Sequence, residues 1–132
     1  MGKFQASNSV LSSGLTLSGQ LIGSLPSVTT FSGDNAGATI PITNIVANVD
    51  AGGSSRAGMR FSGGGTAGQI IIVINTGGES ITFHSSDATA LVRGMNVNKD
   101  TIRTLEAHMF ISDGTYWQHV GGGATNEQMT AG

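Results

Sequence analysis

The chain has 132 residues, of which 11% are charged and 38% hydrophobic, and its formal net charge is −2. Its 6 basic residues are scattered, so the sequence has no lysine or arginine cluster of the kind that nucleic-acid binding requires. The absence of cysteine excludes disulfides and thiolate metal sites. The longest apolar run, Ile70 to Ile74, is far too short to span a membrane. We therefore expect a small protein that binds neither nucleic acid nor membrane.

Glycine is the strongest feature of the composition, with 21 residues. Each ordered glycine loses more backbone freedom than any other residue type. Large side chains that would offset this cost by burial are few, because the chain has 5 Phe, 1 Trp and 1 Tyr. A fold with this ratio is marginal in isolation. We therefore expect neighbouring chains to contribute to its stability.

The first 35 residues are rich in Ser, Gly and Thr and carry spaced leucines. Leu15 and Leu17 alternate with polar residues, as in a short strand, and Leu21 follows them. This pattern predicts an extended N-terminal arm with short strands over residues 1–35. A long flexible leader is the alternative, although a disordered segment has no need of regularly spaced leucines.

The segment from residue 36 to residue 84 contains the clearest strand signals. Pro41 lies within an Ile/Val run and favours an edge strand there. Residues 69–75 are β-branched and apolar at every position from 70 to 74, so we expect both faces of this strand to be buried. The turn-like residues 76–79 and the alternating Ser80–His84 predict that the chain returns antiparallel as a hairpin.

The region from Thr101 to Ile111 has two possible interpretations. It alternates as a strand, and we prefer that interpretation to a helix capped by Asp100. The following Asp113-Gly114 is a strong hairpin signal, and a two-residue turn there pairs Phe110 with Trp117. The short strands and frequent turns predict an all-β fold, a compact β-sandwich or barrel-like domain over residues 36–121 with a polar C-terminal tail over residues 122–132.

The three histidines are the first candidates for chemistry. The same two-residue turn places His108 opposite His119, so that their imidazoles could meet on one face. A metal ion would need a third ligand, such as His84 or Glu106. We prefer to interpret all three as ordinary half-exposed histidines, and we predict no metal site.

Other catalytic patterns are missing from the sequence. No G-x-S-x-G nucleophile elbow occurs, and no pair of acidic residues is singled out by its spacing. The glycine run at residues 63–66 lacks the Lys-Ser/Thr of a phosphate-binding loop. We therefore expect no enzymatic activity, no catalytic residue and no cofactor.

The stretch from Gly68 to Val120 resembles a domain widespread in bacteriophage tail fibres, head fibres and capsid decoration proteins. The likeness lies in the β-branched strand at residues 70–74, the I-T-F sequence at residues 81–83 and the F-x-S-D-G-x-x-W pattern at residues 110–117. It covers about the last two-fifths of the chain. The resemblance implies a homotrimer and implies no catalytic residue.

The length of the chain favours a decoration (cement) protein over a fibre, because fibres are usually much longer. Such a protein would bind the major capsid protein between capsomers, stabilise the phage head and lay its arm on the shell. It would be made in the host cytoplasm and reside on the capsid surface of the virion. A short tail or head fibre, or a receptor-binding tip, is the alternative. The candidate core or assembly residues are Leu15, Leu17, Leu21, Ile72, Phe83, Phe110 and Trp117.

Overall fold

The computed structural model describes residues 18–19, 25–31, 38–94 and 101–122. In these ranges the chain forms ten strands and one helical turn. They are β1 (Thr29–Thr30), β2 (Thr39–Ile40), β3 (Val46–Asp50), β4 (Arg56–Phe61), β5 (Ile70–Asn75), β6 (Ile81–Phe83), α1 (Asp87–Ala90), β7 (Val92–Arg93), β8 (Thr101–Ile102), β9 (Ala107–Ser112) and β10 (Trp117–Gly122). No helix in the described ranges has the length and apolar character needed to cross a membrane.

The strands form two sheets, which confirms the predicted all-β fold with a sandwich-like or barrel-like arrangement. The larger sheet has the order β1-β3-β5-β9-β10-β7, and the smaller one has the order β2-β4-β6-β8. In the larger sheet β3 is parallel to β1 and β5, whereas β9 is antiparallel to β5 and β10. In the smaller sheet β4 is parallel to β2 and β6, and β8 is antiparallel to β6.

An aromatic cluster forms the centre of the hydrophobic core. The Phe61 ring lies 5.5 Å from the Phe83 ring and 5.2 Å from the rings of both Phe110 and Trp117, measured between centroids. All four side chains are buried, and Trp117 is fully so. Three of the candidate core or assembly residues, Phe83, Phe110 and Trp117, therefore lie in the core.

The predicted hairpin between residues 69–75 and 80–84 is wrong, because β5 and β6 belong to different sheets. The buried Asn75 side chain redirects the chain at this point. Its Nδ2 donates to the carbonyls of Glu79 (2.8 Å) and Ile102 (3.0 Å), and its Oδ1 accepts from the Gly77 amide (3.1 Å). These bonds hold the turn in a form that leads to the second sheet instead of back along β5.

The strand interpretation of residues 101–111 is confirmed for residues 101–102 and 107–111, but it is wrong for residues 103–106, which lie between β8 and β9. The predicted register of the closing hairpin is also wrong. Trp117 pairs with Ser112, not with Phe110, and the loop spans residues 113–116. The Asp113 carboxylate causes the longer loop, because its Oδ1 accepts from the backbone amides of Thr115 (2.8 Å) and Tyr116 (2.7 Å). The register differs from the prediction by two residues, so every side chain keeps its predicted face.

Two other predictions concern the first half of the chain. The edge strand expected near Pro41 is β2, which ends at Ile40 and lies at the edge of the smaller sheet. Part of the segment predicted as an arm lies on the domain, since β1 pairs with β3 and Phe31 is buried in the core. Leu15, Leu17 and Leu21 lie outside the described residues.

Candidate functional site

The larger sheet presents an apolar face on the side away from the core. In β5, Ile71 and Val73 point into the core and are fully buried, so the alternate residues point outward. Cross-strand pairing places Val46 and Met109 on either side of Ile72. We call this surface the outer face, and it comprises Val46, Ile70, Ile72, Ile74, Met109 and Ile111.

The outer face is only partly covered by the described residues. Ile70 is 43% exposed, and the other five side chains are half-buried. The prediction that both faces of this strand are buried is therefore not met within the single chain. None of the six side chains is charged, and the nearby Ile45 is also 43% exposed. A continuous apolar patch on a strand-rich surface is typical of an interaction site.

Polar groups border the outer face. Next to Ile74, Asn48 accepts a hydrogen bond from the Thr76 hydroxyl at 3.0 Å. On the opposite side Gln118 lies beside Ile111 and donates to Asp113 at 2.8 Å. An apolar centre with a polar rim is the usual anatomy of a protein–protein interface.

A second group of functional interest is the set of Glu106, His108 and His119. His108 is 3% exposed and Glu106 is 8% exposed. The His108 Nδ1 lies 2.9 Å from the His119 Nε2, and the His108 Nε2 lies 3.2 Å from the Glu106 Oε2. The same Glu106 oxygen accepts from the Arg103 amide at 3.0 Å. The two imidazoles do meet, although the residue directly opposite His119 is Phe110. The preferred interpretation of His108 as an ordinary half-exposed histidine is wrong, because its side chain is buried.

These contacts indicate a structural role for the histidine pair. When Glu106 is ionised and His108 is neutral, the His108 proton must lie on Nε2, so that its Nδ1 accepts from the His119 Nε2–H. The facing ring nitrogens are thus engaged with each other, and His84 lies elsewhere, with its Nδ1 accepting from the Ser86 amide at 3.0 Å. Over the described ranges no three His, Asp or Glu side chains are arranged to hold a metal ion.

One exposed carboxylate has a shifted titration. The backbone amides of Tyr116 and Thr115 lower the pKa of Asp113 below its ordinary value of 3.8, with smaller contributions from Gln118 and the positive charge of Arg93. Asp113 is fully exposed and sits in the hairpin loop, so its hydrogen bonds explain the shift without any catalytic role.

The candidate residues that the structure describes thus lie in two places. Ile72 lies at the centre of the outer face, whereas the three aromatic candidates lie in the core. Sequence reasoning did not single out Val46, Met109 or Ile111 as members of a common surface. The alternation of apolar residues over 105–111 carried part of that signal, but the pairing with β5 was needed to see it.

The described part of the chain is an all-β domain of two sheets with an apolar outer face. Comparisons with protein-family models, with curated proteins and with solved structures give no significant match to this chain.

Proposed function

We propose that this protein is a non-enzymatic structural protein of a bacteriophage virion, a homotrimeric capsid decoration protein that binds the major capsid protein. The outer face, with its uncharged apolar centre and polar rim, is the observation that supports self-assembly of the protein. The proposed location in a virion and the proposed trimeric state come from the resemblance of residues 68–120 to phage structural domains. Glycine-rich composition adds support, because it favours a fold that gains stability from neighbouring chains.

The apolar area of the outer face is too small to hold a stable assembly together without further contacts. Complete burial of an aliphatic side chain is worth roughly 1.5–3 kcal/mol, and the outer-face side chains already realise about half of this. Covering one outer face would therefore contribute about 5–9 kcal/mol to the free energy of association. The loss of translational and rotational freedom opposes association by about 4–15 kcal/mol. One face alone is marginal, so a stable assembly needs additional contacts from each subunit.

A short fibre or receptor-binding tip is less well supported by the same structure. Such a tip would present exposed aromatic side chains for glycan contact. Trp117 is fully buried, and Tyr116 is half-buried with the Arg93 guanidinium 3.7 Å above its ring. The two aromatic residues at this end of the domain are thus engaged within the chain.

The first test is the native mass of the purified protein, for which we expect three times 13.4 kDa. Ile72→Lys places a charge at the centre of the outer face and should yield monomers. Ala57→Lys is the matched control, because Ala57 is an exposed residue of β4 in the smaller sheet. A monomeric wild-type protein, or equal masses for both variants and wild type, would contradict assembly through the outer face.

Capsid binding is tested separately by mixing the protein with bare phage capsids and measuring co-sedimentation. Saturable binding of the trimer, lost in Ile72→Lys and retained in Ala57→Lys, is the expected result. A trimer that does not bind any capsid offered would argue against the decoration role and in favour of a fibre component.

A further inference from the structure

The outer face ends close to the place where the N-terminal arm joins the domain. β1 is the edge strand of the larger sheet and is parallel to β3, with Thr29 opposite Val49. The chain before Thr29 therefore leads toward the end of the sheet at which β3 begins. Val46 starts β3 and lies opposite Ile72, so the arm leaves the domain beside the outer face.

Two apolar side chains in the described residues just before β1 are exposed. Leu25 is 66% exposed and Val28 is 46% exposed, although both are residues that usually pack against other groups. Exposed apolar side chains at this point are available for contact with another chain.

The arm itself matches the outer face in chemistry. Among residues 1–24 the sole charged side chain is Lys3, and the leucines at positions 11, 15, 17 and 21 are separated by Ser, Thr, Gly and Gln. Leu15 and Leu17 have the two-residue spacing that places side chains on one face of an extended segment. An uncharged segment with spaced leucines is suited to an uncharged apolar sheet face.

The reach of the arm exceeds the size of one outer face. An extended chain spans about 3.3 Å per residue, so 24 residues could extend roughly 80 Å. Neighbouring strands lie about 4.8 Å apart, so the outer face from β3 to β9 is roughly 10 Å wide. The arm is thus long enough to cross to a neighbouring copy and lie over its outer face.

We propose that residues 11–22 of the arm cover the outer face of a neighbouring copy, so that the subunits of the assembly are joined by exchanged arms. In a closed ring each subunit gives one arm and receives one, which satisfies every outer face. The arm also supplies the additional contact that the outer face alone lacks. This inference rests on the proposed homotrimer and assigns the leucines to the neighbouring subunit instead of to the capsid shell.

The test uses the absence of cysteine from the chain. One copy carries Leu17→Cys, and a second, differently tagged copy carries Met109→Cys. The two are co-expressed and treated with a short bis-maleimide, and the product is identified by peptide mapping. We expect a cross-link between the two copies, several-fold more abundant than with Ala57→Cys in place of Met109→Cys. Yields equal to this control would overturn the proposal.

A chain that carries both Leu17→Cys and Met109→Cys, diluted into an excess of wild-type protein, distinguishes exchange from self-covering. A cross-link within that chain under these conditions would show that the arm covers its own outer face and would overturn the exchange.

Deletion of residues 1–24 gives a second readout that separates the inference from the proposed function. We expect the truncated protein to keep its far-UV circular dichroism, to become monomeric and to bind several-fold more of a dye specific for apolar surface. A truncated protein that remains trimeric would overturn arm exchange and leave the homotrimer standing. A monomeric full-length protein would instead contradict the proposed function itself.

Discussion

The strongest test of the fold is the replacement of Trp117, which joins the two sheets. Its side chain is fully buried and packs on Phe61, and its indole Nε1 donates to the Gly63 carbonyl at 2.7 Å. The residue therefore makes two separable contributions, one from aromatic packing and one from a hydrogen bond to the loop after β4. Trp117→Ala removes both, whereas Trp117→Phe keeps an aromatic ring and removes only the bond and part of the volume.

The expected magnitudes follow from these contacts. Truncation of a buried Trp to Ala costs about 3–5 kcal/mol, because the cavity only partly collapses. The hydrogen bond to Gly63 is only partly buried, so water can replace the indole and the lost bond adds about 1 kcal/mol at most. We expect a loss of about 3–6 kcal/mol for Trp117→Ala and about 1–2.5 kcal/mol for Trp117→Phe.

The measurement is urea unfolding followed by far-UV circular dichroism, at one protein concentration for all variants because assembly is coupled to stability. Equal losses for the two variants would show that the hydrogen bond, not the packing, dominates. A loss below about 1 kcal/mol for Trp117→Ala would contradict the position of β10 in the core.

Two further predictions concern the hairpin and the histidine pair. His119→Ala should cost about 1–3 kcal/mol in the free energy of unfolding, because it leaves the buried His108 Nδ1 without its partner, and His119→Gln should recover part of the loss; equal melting temperatures for all three proteins would contradict the pairing. Asp113→Asn should lower the melting temperature at pH 7, because the pKa of Asp113 is lowered in the folded protein. Its carboxylate therefore stabilises the fold above the ordinary pKa of 3.8, and this effect is lost as the pH falls through the folded-state pKa. The difference from wild type should therefore close in strong acid, and a difference that stays constant down to about pH 2 would show that the charge is not responsible.

The fold class and several strand positions could be predicted from the sequence because their signals are local. The β-branched run of β5 and the alternation over β9 depend only on residues within each strand. The pairing of the strands could not be predicted in the same way. β5 pairs with β3 and β9, and the side-chain bonds of Asn75 that redirect the following turn involve Ile102, which is 27 residues away.

The closing hairpin shows a smaller failure of the same kind. Asp113-Gly114 favours a two-residue turn when only the backbone is considered. The Asp113 side chain accepts two backbone amides of the loop, and this adds two residues to it. The aromatic and histidine side chains kept their faces because the change in register is an even number.

The edges of the sheets bear on how the protein can associate. In the described part of the chain, the edge strands β1, β7, β2 and β8 have two residues each. Edges this short offer few free backbone groups for pairing with another chain, and short edges are one way in which β proteins avoid open-ended aggregation. The outer face, by contrast, combines six apolar side chains on three neighbouring strands. Association through side chains on a defined face, instead of through backbone edges, favours a closed assembly over a fibril. This is the reason to test the outer face first when the subunit contact is mapped.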